Sequence, residues 1–267
     1  MVASGAVRKP VPSLTVRARI DLLHTMMLAR ATERRARALD AGEDCAEPAA
    51  RRHSEPIAAG AALALGPQDR LVAPGRFRAA HLGRDPGPST GRFSSAPDLV
   101  PIAVGVAIAV GARDPGIVVL TLADEGAISS ERWSEALALA TAKRLPLVLV
   151  VERQRPAPGT GGAAPNQPLL GEAVDADDPE AVLSAVRAAV DRARSGKGPA
   201  LVACVGAMAR PLMPLPWRRR IEYRSETERS PSDPIERYAR RLMRGGVPRK
   251  AIEGALESAE EEAATWP

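Results

Sequence analysis

Near the start of the chain, Val16, Ile20, Leu23, Met27 and Ala31 recur at helical spacing, with arginines between them. Steps of three and four residues place these side chains on one face, so the pattern predicts a helix from Thr15 to about Ala41, stopped by Gly42. A second helix of small residues is predicted over Ser54–Leu65, with Ser54 as its cap or Pro56 as its first residue. The stretch 69–98 is rich in Gly, Pro and Arg and reads as mostly loop. Pro101 then opens the run IAVGVAIAVGA, whose Ala and Gly content suits a helix packed closely against a neighbour.

The densest signal lies between Gly116 and Gln154. An apolar run ends at Asp124-Glu125-Gly126, an amphipathic helix follows, and the apolar run LPLVLVV ends at Glu152-Arg153-Gln154. Buried strand, helix and buried strand in that order form a parallel βαβ unit. Further on come a loop rich in Pro and Gly (155–168) and a short strand near Ala173 ending at Asp175. A helix opened by Pro179 follows, then a buried strand over Pro199–Val205. Two last helices run from Pro234 to Arg244 and from Pro248 to about Thr265. This alternation predicts an α/β fold with a doubly wound parallel sheet and helices on both faces. Residues 1–14 are expected to form a flexible tail and residues 15–267 a single domain that includes the two last helices.

Ligands of such sheets bind beyond the carboxyl ends of the strands. The loops at Asp124-Glu125-Gly126 and Glu152-Arg153-Gln154 point towards one place there. The residues by themselves allow two readings. They line a ligand site, or Asp124 and Glu125 are simply acids favoured at a helix entry and Glu152-Arg153-Gln154 is a strand end turned to solvent.

Composition narrows the class of function. Aromatic residues are only 3% of the chain, so the core must be built from Ala, Val, Leu and Ile. The net charge of +5 comes almost wholly from arginine, 33 Arg against 4 Lys. These arginines are spread along helices, and no nucleic-acid-reading module accompanies them. The short run Trp217-Arg218-Arg219-Arg220 reads as solvated surface or partner contact. Cys45 and Cys204 make neither a disulfide framework nor a metal site. His24, His53 and His81 read as structural or surface residues, with His81 the one nearest a candidate motif. No stretch has the apolar length of a membrane span or the core of a signal peptide, and a cytoplasmic location is expected.

The order of segments resembles the α subunit of the thiamine diphosphate-dependent 2-oxoacid dehydrogenases. The segments are MMLARATERRARAL, SEPIAAGAALAL followed by Asp69, VPIAVGVAIAVGA and EALALATAKRLPLVLVVE, then VDADDPEAV, ARSGKGPALV, EYRSE and SDPIERY. The likeness runs from about Leu22 to Gly246 and rests on order and spacing rather than on one motif. It implies a thiamine diphosphate-binding fold and a cofactor held with Mg2+ between this chain and a β-type subunit, which supplies the Glu that activates the pyrimidine ring. No catalytic residue is therefore assigned to this chain. It also implies oxidative decarboxylation of a 2-oxoacid with acyl transfer to a lipoyl group on an acyltransferase. Association through the helix Ile102–Ala112, with a β-type chain or with itself, is a further implication; nucleic acid and membrane are not expected partners.

Carried onto this sequence, the family's Gly-Asp-Gly falls on Asp124-Glu125-Gly126 and its Asn-Asn on Arg153-Gln154. The resemblance thus makes Glu125, Gln154 and the carbonyl of Pro156 the Mg2+ ligands. It makes Phe77, Arg78, Asp124, Glu125, Gly126, Ala127 and Gln154 the diphosphate-binding residues. Both metal-binding side chains keep oxygen donors, as Mg2+ requires, and are one methylene longer than the family's. Asp124 replaces a glycine and adds a charge beside an anion; two unit charges about 4 Å apart repel by about 4 kcal/mol at an effective dielectric near 20. Arg153 can offset this, because Arg forks onto phosphate oxygens. The family's Gly-Gly-Ser-Met-His segment is missing after Asp85, and its His-bearing closing loop is replaced from Gly206 to Arg210. A non-catalytic relative serving as a scaffolding or regulatory subunit is the alternative.

Overall fold

A computed structural model describes residues 14–40, 54–73, 96–114, 116–124, 131–154, 171–206 and 233–265. The elements in chain order are α1 (Val16–Asp40), α2 (Glu55–Ala64), β1 (Arg70–Val72), α3 (Ala96–Gly111), β2 (Val119–Asp124) and α4 (Glu131–Ala142). They continue with β3 (Leu147–Gln154), β4 (Gly171–Asp175), α5 (Pro179–Arg194), β5 (Ala200–Gly206), α6 (Pro234–Arg244) and α7 (Arg249–Thr265). The five strands form one parallel sheet in the order β1-β2-β3-β5-β4.

The winding follows from that order. From β1 to β3 the chain advances across the sheet, and α3 and α4 cover one face. From β4 it steps back inwards to β5, and a crossover of the same hand then puts its helix, α5, on the opposite face. Successive strand residues alternate between the two layers. Leu120, Leu122, Val148, Val150, Val202 and Cys204 pack with Ile57 and Ala61 of α2 and with Val182 and Val186 of α5. Val119, Ala123, Leu147, Leu149, Val151, Leu201 and Ala203 pack with Ala103 and Ala107 of α3 and with Trp133 and Ala140 of α4. The doubly wound sheet with helices on both faces is as expected.

A third layer lies outside α2 and α5. Leu22, Leu23 and Met26 of α1, Tyr238 and Leu242 of α6 and Ile252 of α7 close over Ala59 and Leu183, with Leu14 packed at the edge. The approach of α2 to α5 is very close. A Cβ on Gly60 would lie 2.6 Å from Val182 Cγ1 and 3.1 Å from the Leu183 backbone nitrogen.

Charge anchors the amino ends of the strands. Asp69, buried before β1, accepts from Val118 N at 2.9 Å through Oδ1, and from Gly66 N at 2.6 Å and Arg194 Nη2 at 2.5 Å through Oδ2. One carboxylate thus fixes the exit of α2, the approach to β2 and the end of α5. Helix α4 ends in a Schellman motif: Leu145 N bonds Ala140 O at 3.0 Å and Arg144 N bonds Thr141 O at 3.1 Å, with Arg144 at φ 48°. Leu145 is buried behind it, which carries the chain straight into β3.

Two local expectations are corrected, and one pair of alternatives is resolved. Helix α3 begins at Ala96, not at Pro101, and carries Pro101 inside it. Burial of Leu99 and Val100 offsets the bond that Pro101 cannot make. Arg70–Val72, expected as loop, pairs with β2 as an edge strand because Leu71 and Val72 bury against the sheet. Ser54 precedes α2, but its backbone is helical and its side chain makes no cap bond; Pro56 opens that helix.

Candidate functional site

The parallel register brings three strand ends into one row. Asp124 of β2 pairs with Glu152 of β3, Glu152 with Cys204 of β5, and Cys204 with Val174 of β4. Paired residues share a face, so this row lies on the side of α2 and α5. One residue on, Arg153 pairs with Val205 and Gln154 with Gly206. Strand β2 ends level with Glu152, whereas β3 continues for two more residues. Of the residues assigned from the sequence, Asp124 and Gln154 are thereby brought to adjacent strand ends. Phe77, Arg78, Glu125, Gly126, Ala127 and Pro156 lie outside the described residues, as do His53, His81, Cys45 and the loop 155–168.

Of the two readings of this strand end, Glu152 does not fit the one that turns it to solvent. It is half-buried, and its charge bears on Cys204. Burial, and next the Glu152 carboxylate, push the fully buried Cys204 thiol up to about 12. Cys204 is therefore a neutral core residue, as its apolar strand suggested. Alternation in LPLVLVVERQ carries the signal for Glu152: Val148 and Val150 share its face, so the carboxylate continues a buried row. His24 Nε2 lies 3.5 Å from Glu262 Oε2, between α1 and α7 of the outer layer.

The loop after β4 borders the same end of the sheet and is held by arginines. Asp175 Oδ1 accepts from Asp177 N at 3.0 Å, and Asp178 Oδ1 caps α5 by accepting from Glu180 N at 3.1 Å and Ala181 N at 3.3 Å. Arg237 Nη2 donates to the Asp177 carbonyl at 2.9 Å, and Arg241 Nη1 donates to Asp178 Oδ1 at 3.1 Å. Tyr238 donates to Glu180 Oε1 at 3.3 Å, which also forms an ion pair with Arg19. Burial, then the Glu180 charge, push the Tyr238 phenol far upward. The outer layer thus reaches over to the sheet's carboxyl end.

A parallel, doubly wound sheet with polar strand ends at its carboxyl edge is an α/β architecture in which ligands, where they bind, do so beyond those ends. A family model described as Dehydrogenase E1 component matches residues 90–264, well over half of the chain, and the chain belongs to that family. Comparison with curated proteins gave no match. The family is one of thiamine diphosphate-dependent 2-oxoacid dehydrogenase components. Its members generally bind thiamine diphosphate with a metal ion, and its α-type members typically pair with a β subunit.

The strand-end row bears on the fit of that cofactor. Paired residues on adjacent parallel strands lie about 5 Å apart, and the register sets Asp124 beside Glu152 at the end of β2. Oxygen donors and negative charge suit a hard divalent cation. They do not suit a diphosphate alone, which needs the metal or an arginine between itself and these carboxylates. Among the described residues no group of three or more His, Cys, Asp or Glu side chains is placed to hold a metal ion, and Glu125 and Pro156 lie outside those residues.

Proposed function

We propose that the chain is a divergent α subunit of a thiamine diphosphate-dependent 2-oxoacid dehydrogenase, working with a β-type partner. The observation that supports it most is the family match over residues 90–264, together with the parallel register that brings the ends of β2 and β3 side by side. In this reading Glu125, Gln154 and the Pro156 carbonyl hold Mg2+. Arg78 and Arg153 neutralise the diphosphate, Phe77 packs beside it, and the backbone of Gly126 and Ala127 approaches it. When bound, thiamine diphosphate supplies the chemistry that decarboxylates a 2-oxoacid and passes the acyl unit to a lipoyl group. This chain's own part is to orient the diphosphate and balance its charge, while the group that activates the pyrimidine comes from the partner. Residues 15–267 act as one domain of that assembly.

Isothermal calorimetry on the chain co-purified with its β-type partner tests this. Magnesium-dependent binding of thiamine diphosphate is the expected result; no heat with the assembled pair would overturn the proposal. Asp124 in place of a glycine, with Glu152 in the next strand, favours one second reading: a non-catalytic relative that keeps the fold as a scaffolding or regulatory subunit. The combination Asp124→Gly, Glu125→Asp, Arg153→Asn and Gln154→Asn restores the family's motif. Gain of oxoacid decarboxylation by that variant would count against the second reading.

A further inference from the structure

The outer layer meets α2 at one buried charge cluster. Arg30 Nε donates to Glu55 Oε1 at 2.9 Å, while Nη1 and Nη2 donate to Asp233 Oδ2 and Oδ1 at 2.5 and 3.0 Å. The three side chains are 15%, 7% and 20% exposed. Two carboxylates share one guanidinium, so with both ionised the cluster carries a net negative charge that water barely reaches.

The two carboxylates are not equivalent. Asp233 is the cap of α6: its Oδ1 accepts from Ile235 N at 2.8 Å and Glu236 N at 3.4 Å, and Arg30 grips both oxygens. Glu55 is held through Oε1 alone, and its buried Oε2 has no hydrogen-bond partner among the described residues. Other charges on the elements around α2 are engaged elsewhere. Arg19 and Arg241 meet Glu180, Arg237 meets Asp177, Arg240 meets Glu236, and Arg187 donates to the Leu63 carbonyl. Glu33 and Arg34 lie one helical turn beyond Arg30 on α1.

We propose that Glu55, Arg30 and Asp233 form a proton-operated joint. One proton on Glu55 turns a shared arginine into a one-to-one Arg30–Asp233 clamp on the start of α6. The proton comes from bulk water and sits on Oε2. Oε1 goes on accepting from Arg30 as a carbonyl oxygen, and the cluster becomes neutral. Burial pushes the Glu55 carboxyl up, and its half-share of Arg30 does not bring it back. Burial acts on Asp233 in the same sense, but the Arg30 hydrogen bond and charge outweigh it and hold that carboxyl below its usual range.

The signs fix the pH window. Neutral Glu55 favours the fold; its contribution is complete below the ordinary 4.5 and is lost as pH rises through the raised folded value. Ionised Asp233 contributes above its ordinary 3.8 and loses that contribution as pH falls through its lowered value. The joint is therefore tightest in mild acid and loosens towards neutral pH. Because α6 carries Arg237 and Arg241, the proton also sets how firmly the loop at Asp177 and Asp178 is held beside the strand ends.

Carboxyl-detected NMR titration of the glutamate-labelled full chain is the test. Glu55 should titrate above the ordinary glutamate range, and Asp233→Asn, which leaves Arg30 to Glu55 alone, should bring it down. Each unit of upward displacement corresponds to about a tenfold loosening at neutral pH. In native-state hydrogen exchange, Glu55→Gln should raise protection of the Ile235 and Glu236 amides at neutral pH and remove its change towards mild acid. Glu55 titrating in the native wild-type protein at or below 4.5 would overturn the proposal, whatever the variants do. So would a folded Asp233→Asn protein that leaves Glu55 unmoved.

Discussion

Gly60→Ala should destabilise the protein, although alanine is the better helix former by about 1 kcal/mol. The new methyl would lie 2.6 Å from Val182 Cγ1, 3.2 Å from Val182 Cβ and 3.1 Å from Leu183 N. Carbon atoms pack at about 3.5–4.0 Å, so α2 and α5 must separate by roughly 1 Å or Val182 must change rotamer. Val182 is fully buried, and a β-branched residue in a helix has one strongly preferred rotamer. Overpacking of this kind costs about 1–3 kcal/mol. Net of the propensity gain, destabilisation centred on about 1 kcal/mol and reaching about 2 kcal/mol is expected, read as a lower urea midpoint with unchanged slope. Val182→Ala alone should also destabilise. The double variant should be more stable than the sum of the singles by about 1 kcal/mol, because the new methyl occupies the vacated space. A Gly60→Ala protein as stable as the parent, or strict additivity in the double variant, would refute the reasoning.

Other outcomes follow from single contacts. Asp69→Ala strands two backbone N–H groups and Arg194 at the amino end of the sheet and should cost about 3–5 kcal/mol in urea unfolding, against under 1 kcal/mol for removing an exposed acid such as Asp191. Cys204 should resist iodoacetamide in the native protein at pH 8 and react only on unfolding. Its thiol ionises near 9.0 when free but near 12 in the fold, so the protein loses stability as pH rises between those values. Cys204→Ala should reduce that alkaline slope. Asp178→Ala removes the cap of α5 and should cost about 1 kcal/mol, lowering amide protection at Glu180 and Ala181 first. Asp124→Gly in the assembled pair should tighten magnesium-dependent thiamine diphosphate binding; weaker binding would argue that the carboxylate takes part in holding the metal.

The larger elements were legible because each carries its own periodicity. Helix α5 reads from Pro179, an early Glu180 and late arginines, and β2, β3 and β5 read as apolar runs too short for helices. Three-residue β1 was not legible, since its strand character comes from pairing with Val119–Thr121 and not from its own composition. Ser54 looked like a cap by residue type, but whether its hydroxyl reaches an amide depends on a backbone angle that the sequence does not print. At the candidate site, the convergence of Asp124 and Glu152 follows from strand order, which alternation of elements foreshadowed. Alternation in LPLVLVVERQ already put Glu152 on the face of Val148 and Val150, but that Cys204 of β5 lies beside it in register was not legible, because it depends on β5 pairing with β3.

Helices α1, α6 and α7 form one layer, yet nearly the whole sheet separates them in the chain. During synthesis, Leu22, Leu23 and Met26 emerge long before Tyr238, Leu242 and Ile252 exist to cover them. The apolar backs of α2 and α5 at Ala59 and Leu183 wait as well. A nascent chain can therefore pair its strands and still expose a sticky outer face until α6 and α7 leave the ribosome. Contacts of such long sequence separation are slow to form and prone to association meanwhile. Fragments ending before Pro234 are thus candidates for chaperone retention rather than free, compact domains.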